Sequence, residues 1–230
     1  MAKYQRLEVA QTMLNMGMVP LFYHAQLEVC KNVLKATYEA GVRVFEFTNR
    51  GDFAHEVFSE LNRYALDHLP GMMLGVGSVV DAPTAALYLQ LGANFIVSPL
   101  LNEDVARICN RRKVLWIPGC GTVSEISKAE ELGAEIVKIF PAKQLGGPAF
   151  VKSVLGPCPW SRLMPSGGVE VDEENLRHWF SAGVACVGMG SNLFPSSLIH
   201  EEKFDELKSK LQQAFQLVQK VKNETGKNSK

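Results

Sequence analysis

Two rhythms of hydrophobic and polar positions alternate along the chain. Short apolar runs rich in Val, Ile, Phe and Met are followed by longer stretches whose apolar residues return at helical spacing. The short runs predict strands over Met18–Tyr23, Arg43–Thr48, Met72–Val79, Phe95–Ser98, Val114–Pro118, the Ala134–Ala142 stretch, Arg162–Pro165 and Ala185–Gly188. The longer stretches predict helices over Gln26–Ala40, Phe53–His68, Ala82–Leu91, Asn102–Arg111, Val123–Leu132, Pro148–Val154, Glu173–Ala182 and Glu202–Val221, with a further short helix over Tyr4–Met16 ahead of the first strand. Gly41, Gly92, Gly133 and Gly183 fall where helices should stop.

Strands that alternate with helices imply parallel pairing and right-handed crossovers. Eight such units close into an α/β fold of the (β/α)8 TIM-barrel type, here with an N-terminal helix and an extra C-terminal helix. A doubly wound open sheet is the alternative, less favoured because no GxGxxG follows the first strand. The pattern reads as one domain over residues 1–222, with a polar, disordered tail expected over 223–230.

Composition narrows the classes. The 230 residues are 47% hydrophobic and 21% charged, enough to build a sizeable core. The 24 basic and 24 acidic residues balance, and no basic run suggests a nucleic-acid surface. Cys30, Cys109, Cys120, Cys158 and Cys186 form no CxxC pair, and the histidines show no HExxH or HxH spacing, so no metal site is expected. Lys3, Arg6 and Glu8 break any apolar leader, and no stretch approaches the length of a membrane span, so no membrane partner is expected and a cytoplasmic protein is.

One residue stands against the hydrophobic pattern. Lys138 sits inside Ala134–Ala142 between Val137 and Ile139, sharing a strand face with Ile136 and Phe140. A buried ammonium is costly, and an uncharged amine can form a Schiff base with a carbonyl. The plainer reading is a lysine whose stem carries its charge out to water. In Val44–Arg50, alternation sets Val44, Glu46 and Thr48 on the barrel side and Phe45 and Phe47 toward the helices. A carboxylate inside a barrel needs a partner or a task. Arg50 at the strand's mouth could clasp a carboxylate or phosphate. Gly75–Val79, Ser98-Pro99 and Pro118-Gly119 end three further strands, weak signals singly. Pro165–Val169 and Val187–Ser191 end the last two strands in glycine-rich turns, a frequent phosphate site in such barrels.

Taken together, Phe45–Arg50, Ile117-Pro118-Gly119, Val137–Ala142, Pro165–Gly168 and Gly188–Ser191 resemble the family of 2-keto-3-deoxy-6-phosphogluconate (KDPG) aldolase, which includes 4-hydroxy-2-oxoglutarate (KHG) aldolase. The resemblance extends from about Gly17 to Pro195. It implies a class I lyase that cleaves a phosphorylated 2-keto-3-deoxy sugar acid to pyruvate and glyceraldehyde 3-phosphate, with KHG cleavage as a second activity. It also implies a homotrimer, no metal or other cofactor, and sugar-acid breakdown of the Entner-Doudoroff kind. By resemblance, Lys138 is the Schiff-base lysine and Glu46 the proton-moving carboxylate. Arg50 contacts the substrate carboxylate, and Thr48, Ser78 and Pro99 line the pyruvate pocket. Ser166, Gly167, Gly168, Gly190 and Ser191 form the phosphate-binding turns. The chain departs from the family pattern at Asn49 and Gly51, where Leu and Thr are common, at Ser78 and Ser166, where Thr is, and at the bulky Tyr23-His24. These departures bear on the substrate more than on the reaction. Rival readings are 2-dehydro-3-deoxy-6-phosphogalactonate aldolase, a non-catalytic phosphosugar-binding barrel, and a phosphosugar isomerase or epimerase using Glu46 as base. The last two give Lys138 no task, and borohydride trapping of pyruvate distinguishes them.

Overall fold

A computed structural model describes residues 2–227. The elements follow in chain order as α1 (Arg6–Met16), β1 (Met18–Phe22), α2 (Leu27–Glu39), β2 (Val44–Thr48), α3 (Ala54–His68), β3 (Met73–Gly77) and α4 (Ala82–Gln90). Then come β4 (Phe95–Val97), α5 (Glu103–Arg112), β5 (Leu115–Ile117), β6 (Gly119–Cys120), α6 (Val123–Glu131), β7 (Val137–Ile139) and α7 (Pro148–Leu155). The chain ends with β8 (Leu163–Pro165), α8 (Glu173–Ser181), β9 (Val187–Met189), α9 (Ser196–His200) and α10 (Phe204–Lys227).

The strands are all parallel. One run pairs in the order β5-β4-β3-β2-β1-β9 and the other in the order β6-β7-β8. The two runs join at both ends. β5 and β6 are halves of one barrel strand split by Pro118, which lacks an N–H but still accepts from the Lys138 N–H at 2.8 Å. At the other junction Ser166 bridges to Gly188, and the Ala185 N–H donates to the Leu163 carbonyl at 2.9 Å. The first and last strands therefore pair and the sheet closes into a (β/α)8 barrel, which removes the open-sheet alternative.

The expected elements recur with three differences. The fifth strand continues past Pro118 into Gly119–Cys120. A short helix, α9, appears where none was expected. The last helix runs on through residues 223–227, the first part of the expected tail, and 228–230 lie outside the described residues.

Between strands and helices lies an aromatic and aliphatic layer. Phe45, Phe47, Phe58, Tyr88, Trp116 and Trp179 are among its largest buried side chains. Burying each such ring contributes roughly 1.5–3 kcal/mol. Asp81, Asn102, Thr122 and Asp172 cap α4, α5, α6 and α8 by accepting backbone N–H bonds from the first turn. Each cap lies in the loop after a strand, so capping also fixes the loops at the end of the barrel that carries the site. Cys30, Cys109, Cys120 and Cys186 are buried thiols pushed up to about 12 by desolvation, so they act as small core residues rather than nucleophiles.

Candidate active site

The register of the strands decides which side chains enter the barrel. Glu46 lies opposite Gly75, Thr48 opposite Gly77, and Gly119 opposite Lys138, which in turn faces Met164. Register partners in a parallel sheet share a face. Glu46, Thr48, Lys138 and Ser166 are therefore on one face; alternation in the sequence sets Glu46 and Thr48 on the barrel side. Phe47 points the other way and packs on Phe58 of α3, ring centroids 5.9 Å apart.

Glycines make room for the inward groups. A Cβ on Gly77 would lie 1.7 Å from Glu46 Oε1, and one on Gly119 would lie 2.3 Å from the Pro99 carbonyl carbon. The Glu46 carboxylate thus occupies the volume that a side chain at residue 77 would take. Gly77→Ala is expected to cost about 1–3 kcal/mol by overpacking. A thermal melt should show this as a Tm lower by about 2–12 °C.

Glu46 is 1% exposed, and among the described residues its Oε2 has no hydrogen-bond partner. Burial raises its pKa above the ordinary 4.5, while the positive charges of Lys138 and then Arg50 pull in the opposite direction. Desolvation wins, so this carboxyl is held closer to proton exchange than a surface glutamate. Lys138 is 6% exposed, and its Nζ lies 4.9 Å from the ring centroid of Phe140. That ring is itself 39% exposed, so it separates the lysine from the mouth of the barrel.

At the carboxyl ends of these strands are adjoining cavities of about 250 and 220 Å³. Thr48, Arg50, Gly190 and Ser191 line the first, with Leu21, Phe22, Tyr23 and Phe194. Arg50, Phe140, Ser166, Gly167, Gly168, Gly190 and Ser191 are among the lining of the second. Gly167 and Gly168 both take left-handed backbone, φ 90° and 87°, which suits glycine and turns successive N–H groups along one side. Among the described residues, the N–H groups of Gly167, Gly168, Gly190 and Ser191 donate to no backbone carbonyl. The glycine-rich turns therefore leave backbone N–H groups without backbone acceptors on the same end of the barrel as a buried amine and a buried carboxyl.

Of the expected residues, Thr48, Arg50, Ser166, Gly167, Gly168, Gly190 and Ser191 line these cavities, whereas Lys138, Glu46, Ser78 and Pro99 line neither. Ser78 sits in left-handed backbone at φ 60° after β3, and Pro99 backs onto Gly119. Phe140, Phe194 and Asn192 were not anticipated as lining residues. Phe140 had a signal, since it shares the Lys138 strand face. Phe194 and Asn192 had none. A larger cavity, about 750 Å³, lies at the opposite end of the barrel among Lys3, Tyr4, Arg111 and Lys113, away from this chemistry. Among the described residues no cluster of three or more His, Cys, Asp or Glu side chains could hold a metal ion. Among the described residues no helix is long and apolar enough to cross a membrane.

Known proteins show the family. The aldolase family described as KDPG and KHG aldolase matches residues 9–210. A 2-dehydro-3-deoxy-phosphogluconate aldolase of Dickeya dadantii is 31% identical over 200 residues, covering 86% of this chain and 91% of the relative. A KHG/KDPG aldolase of Escherichia coli K12 is 30% identical over 200 residues, covering 86% and 91%. Among solved structures, the KDPG aldolase of Legionella pneumophila, with pyruvate captured as a covalent carbinolamine, superposes with a TM-score of 0.77 at 24% identity, covering 91% of this chain and 96% of that one. At that identity the structural likeness bears on the fold.

Proposed function

The chain belongs to the KDPG and KHG aldolase family, and we propose that Lys138 and Glu46 carry its reaction. It is a lyase that cleaves 2-dehydro-3-deoxy-6-phosphogluconate to pyruvate and glyceraldehyde 3-phosphate, with cleavage of 4-hydroxy-2-oxoglutarate to pyruvate and glyoxylate as a second activity. The observation that carries the residue assignment is the pairing, on one inward face, of a buried lysine with a carboxyl whose Oε2 is unpartnered.

The Lys138 amine adds to the C2 ketone and water leaves, giving an iminium. Glu46 takes the proton from the C4 hydroxyl as the C3–C4 bond breaks. The bonding pair passes to the iminium, leaving an enamine and a free aldehyde. Glu46 returns a proton to C3, and water hydrolyses the iminium to release pyruvate and restore the amine. No metal is needed, because the iminium is the electron sink. Arg50 holds the substrate carboxylate, with Thr48, Ser78 and Pro99 bounding the pyruvate end. The turns at Ser166–Gly168 and Gly190-Ser191 hold the phosphate. We place residues 1–222 in one catalytic domain, acting as a cytoplasmic homotrimer in Entner-Doudoroff sugar-acid breakdown. The family resemblance supports that placing.

Two expected outcomes test the roles. If Glu46 must be ionised to act, the acid limb of kcat/KM lies above 4.5, because burial raises this group. A limb at or below 4.5 would assign the base elsewhere. At the other end, Ser191→Ala removes one hydroxyl donor to a charged group, worth about 1.5–3 kcal/mol. Its kcat/KM on the phosphorylated substrate should fall by about one to two powers of ten, with little change on 4-hydroxy-2-oxoglutarate. Equal losses on both substrates would mean that Ser191 does not hold the phosphate.

A further inference from the structure

The turn that carries Arg50 is braced on two sides by tyrosine hydroxyls. We propose that Tyr88, acting through Asn49, is a positioning residue that aims the Arg50 guanidinium at the carboxylate of the keto acid, with Tyr23 bracing the turn from the other side. The proposal deepens the reading of Arg50 given above and rests on it.

Arg50 is exposed, with a long side chain that loses much rotamer freedom when it grips a ligand. A fixed backbone at its root reduces that cost. The Tyr88 hydroxyl donates to Asn49 Oδ1 at 2.8 Å, the Asn49 N–H donates to the Gly77 carbonyl at 2.8 Å, and the Arg50 N–H donates to the Thr48 carbonyl at 2.9 Å. The Gly77 bond ties the turn to the strand against which the Glu46 carboxylate lies. The residue that binds substrate and the residue that moves the proton are thereby held in one frame.

On the other side, Gly51 takes φ 92°, and a Cβ there would lie 2.7 Å from the Tyr23 hydroxyl. Glycine both permits that backbone and lets the hydroxyl close on the chain. The two tyrosines are linked beneath the turn by a continuous set of rings. Tyr23 meets Phe47 at 5.6 Å, Phe47 meets Phe58 at 5.9 Å, and Phe58 meets Tyr88 at 5.1 Å. Tyr88 is 1% exposed, and burial, with Tyr23 adding to it, pushes its hydroxyl up to about 12. The hydroxyl therefore keeps its proton as a donor throughout the working range. The bond to Asn49 serves no helix cap and no strand ladder, and the turn it holds leads to one cation at the mouth of the site.

The test follows initial rates of the condensation direction while pyruvate is varied. Tyr88→Phe and Asn49→Ala should each raise the KM for pyruvate by about 3–10-fold, the size of one neutral hydrogen bond, with kcat within about twofold. The two together should do no more than either alone, since both remove the same bond. In an Arg50→Ala background, Tyr88→Phe should add nothing, because the group it aims has gone. Circular dichroism and Tm establish that the variants are folded, and Asn49→Ala serves if Tyr88→Phe is not. An unchanged pyruvate KM in a folded single variant overturns the inference. So does a full additional effect of Tyr88→Phe on top of Arg50→Ala, which would mark a merely structural bond. Arg50→Ala with no rise in pyruvate KM would instead overturn the reading of Arg50, and the inference with it.

Discussion

Glu46→Gln is expected to slow turnover by about 10²–10⁴-fold, the usual contribution of a positioned general base. The amide fills the volume left by Gly77 but cannot accept the C4 proton. The same substitution should not weaken the fold. The pKa of Glu46 is raised in the native state, so the native protein binds this proton more tightly than the unfolded chain does. The resulting stability is present below the unfolded value and is lost as pH rises through the native one. Above the native pKa the ionised carboxyl is therefore a net cost, and there the neutral amide should give an equal or higher Tm. Loss of turnover without loss of stability is the signature of a group kept for chemistry. Near-normal turnover in folded Glu46→Gln would make the carboxyl structural.

The fold was legible because the strands are short apolar runs, several closed by glycine or proline, and Gly41, Gly92, Gly133 and Gly183 mark where helices stop. The failures have local causes. Pro118 looked like a strand end, but the chain resumes at Gly119, where the absence of a Cβ lets the backbone approach Pro99. Residues 223–227 looked like a tail from their polarity. They stay helical on an anchor given by buried Val218 and Val221 and by the Arg177–Glu224 pair at 2.8 Å. α9 is too short for any periodic signal. In the site, strand alternation placed Glu46 and Thr48 inward without any structure, and put Lys138 on a face with Phe140. It could not show that Gly77 is the space in which Glu46 sits, because that contact joins neighbouring strands. Nor could it show that Asn49 and Gly51, read only as departures from the family pattern, are the two points where Tyr88 and Tyr23 meet the Arg50 turn. Phe194 reaches the cavity from a loop with no periodicity to betray it.

Lys138→Ala is expected to have the largest effect of any single change. Without the amine there is no iminium, hence no electron sink for C3–C4 cleavage, and residual contacts cannot substitute for it. Losses on the order of 10⁴-fold or more are usual when a covalent nucleophile is removed. Lys138→Arg keeps a cation beside Glu46 and Phe140 but cannot form the iminium, so it should be equally inactive. That pair of variants separates covalent chemistry from simple charge.

The most direct measurement is reductive trapping. The wild-type protein is incubated with pyruvate, reduced with borohydride and digested, and the peptides are mapped by mass. The account predicts that the peptide containing Lys138 gains the mass of one reduced pyruvate adduct, and that Lys138→Ala gains none. Adduct on another lysine, with Lys138 unmodified, or no adduct in a protein that still cleaves its substrate, would contradict it.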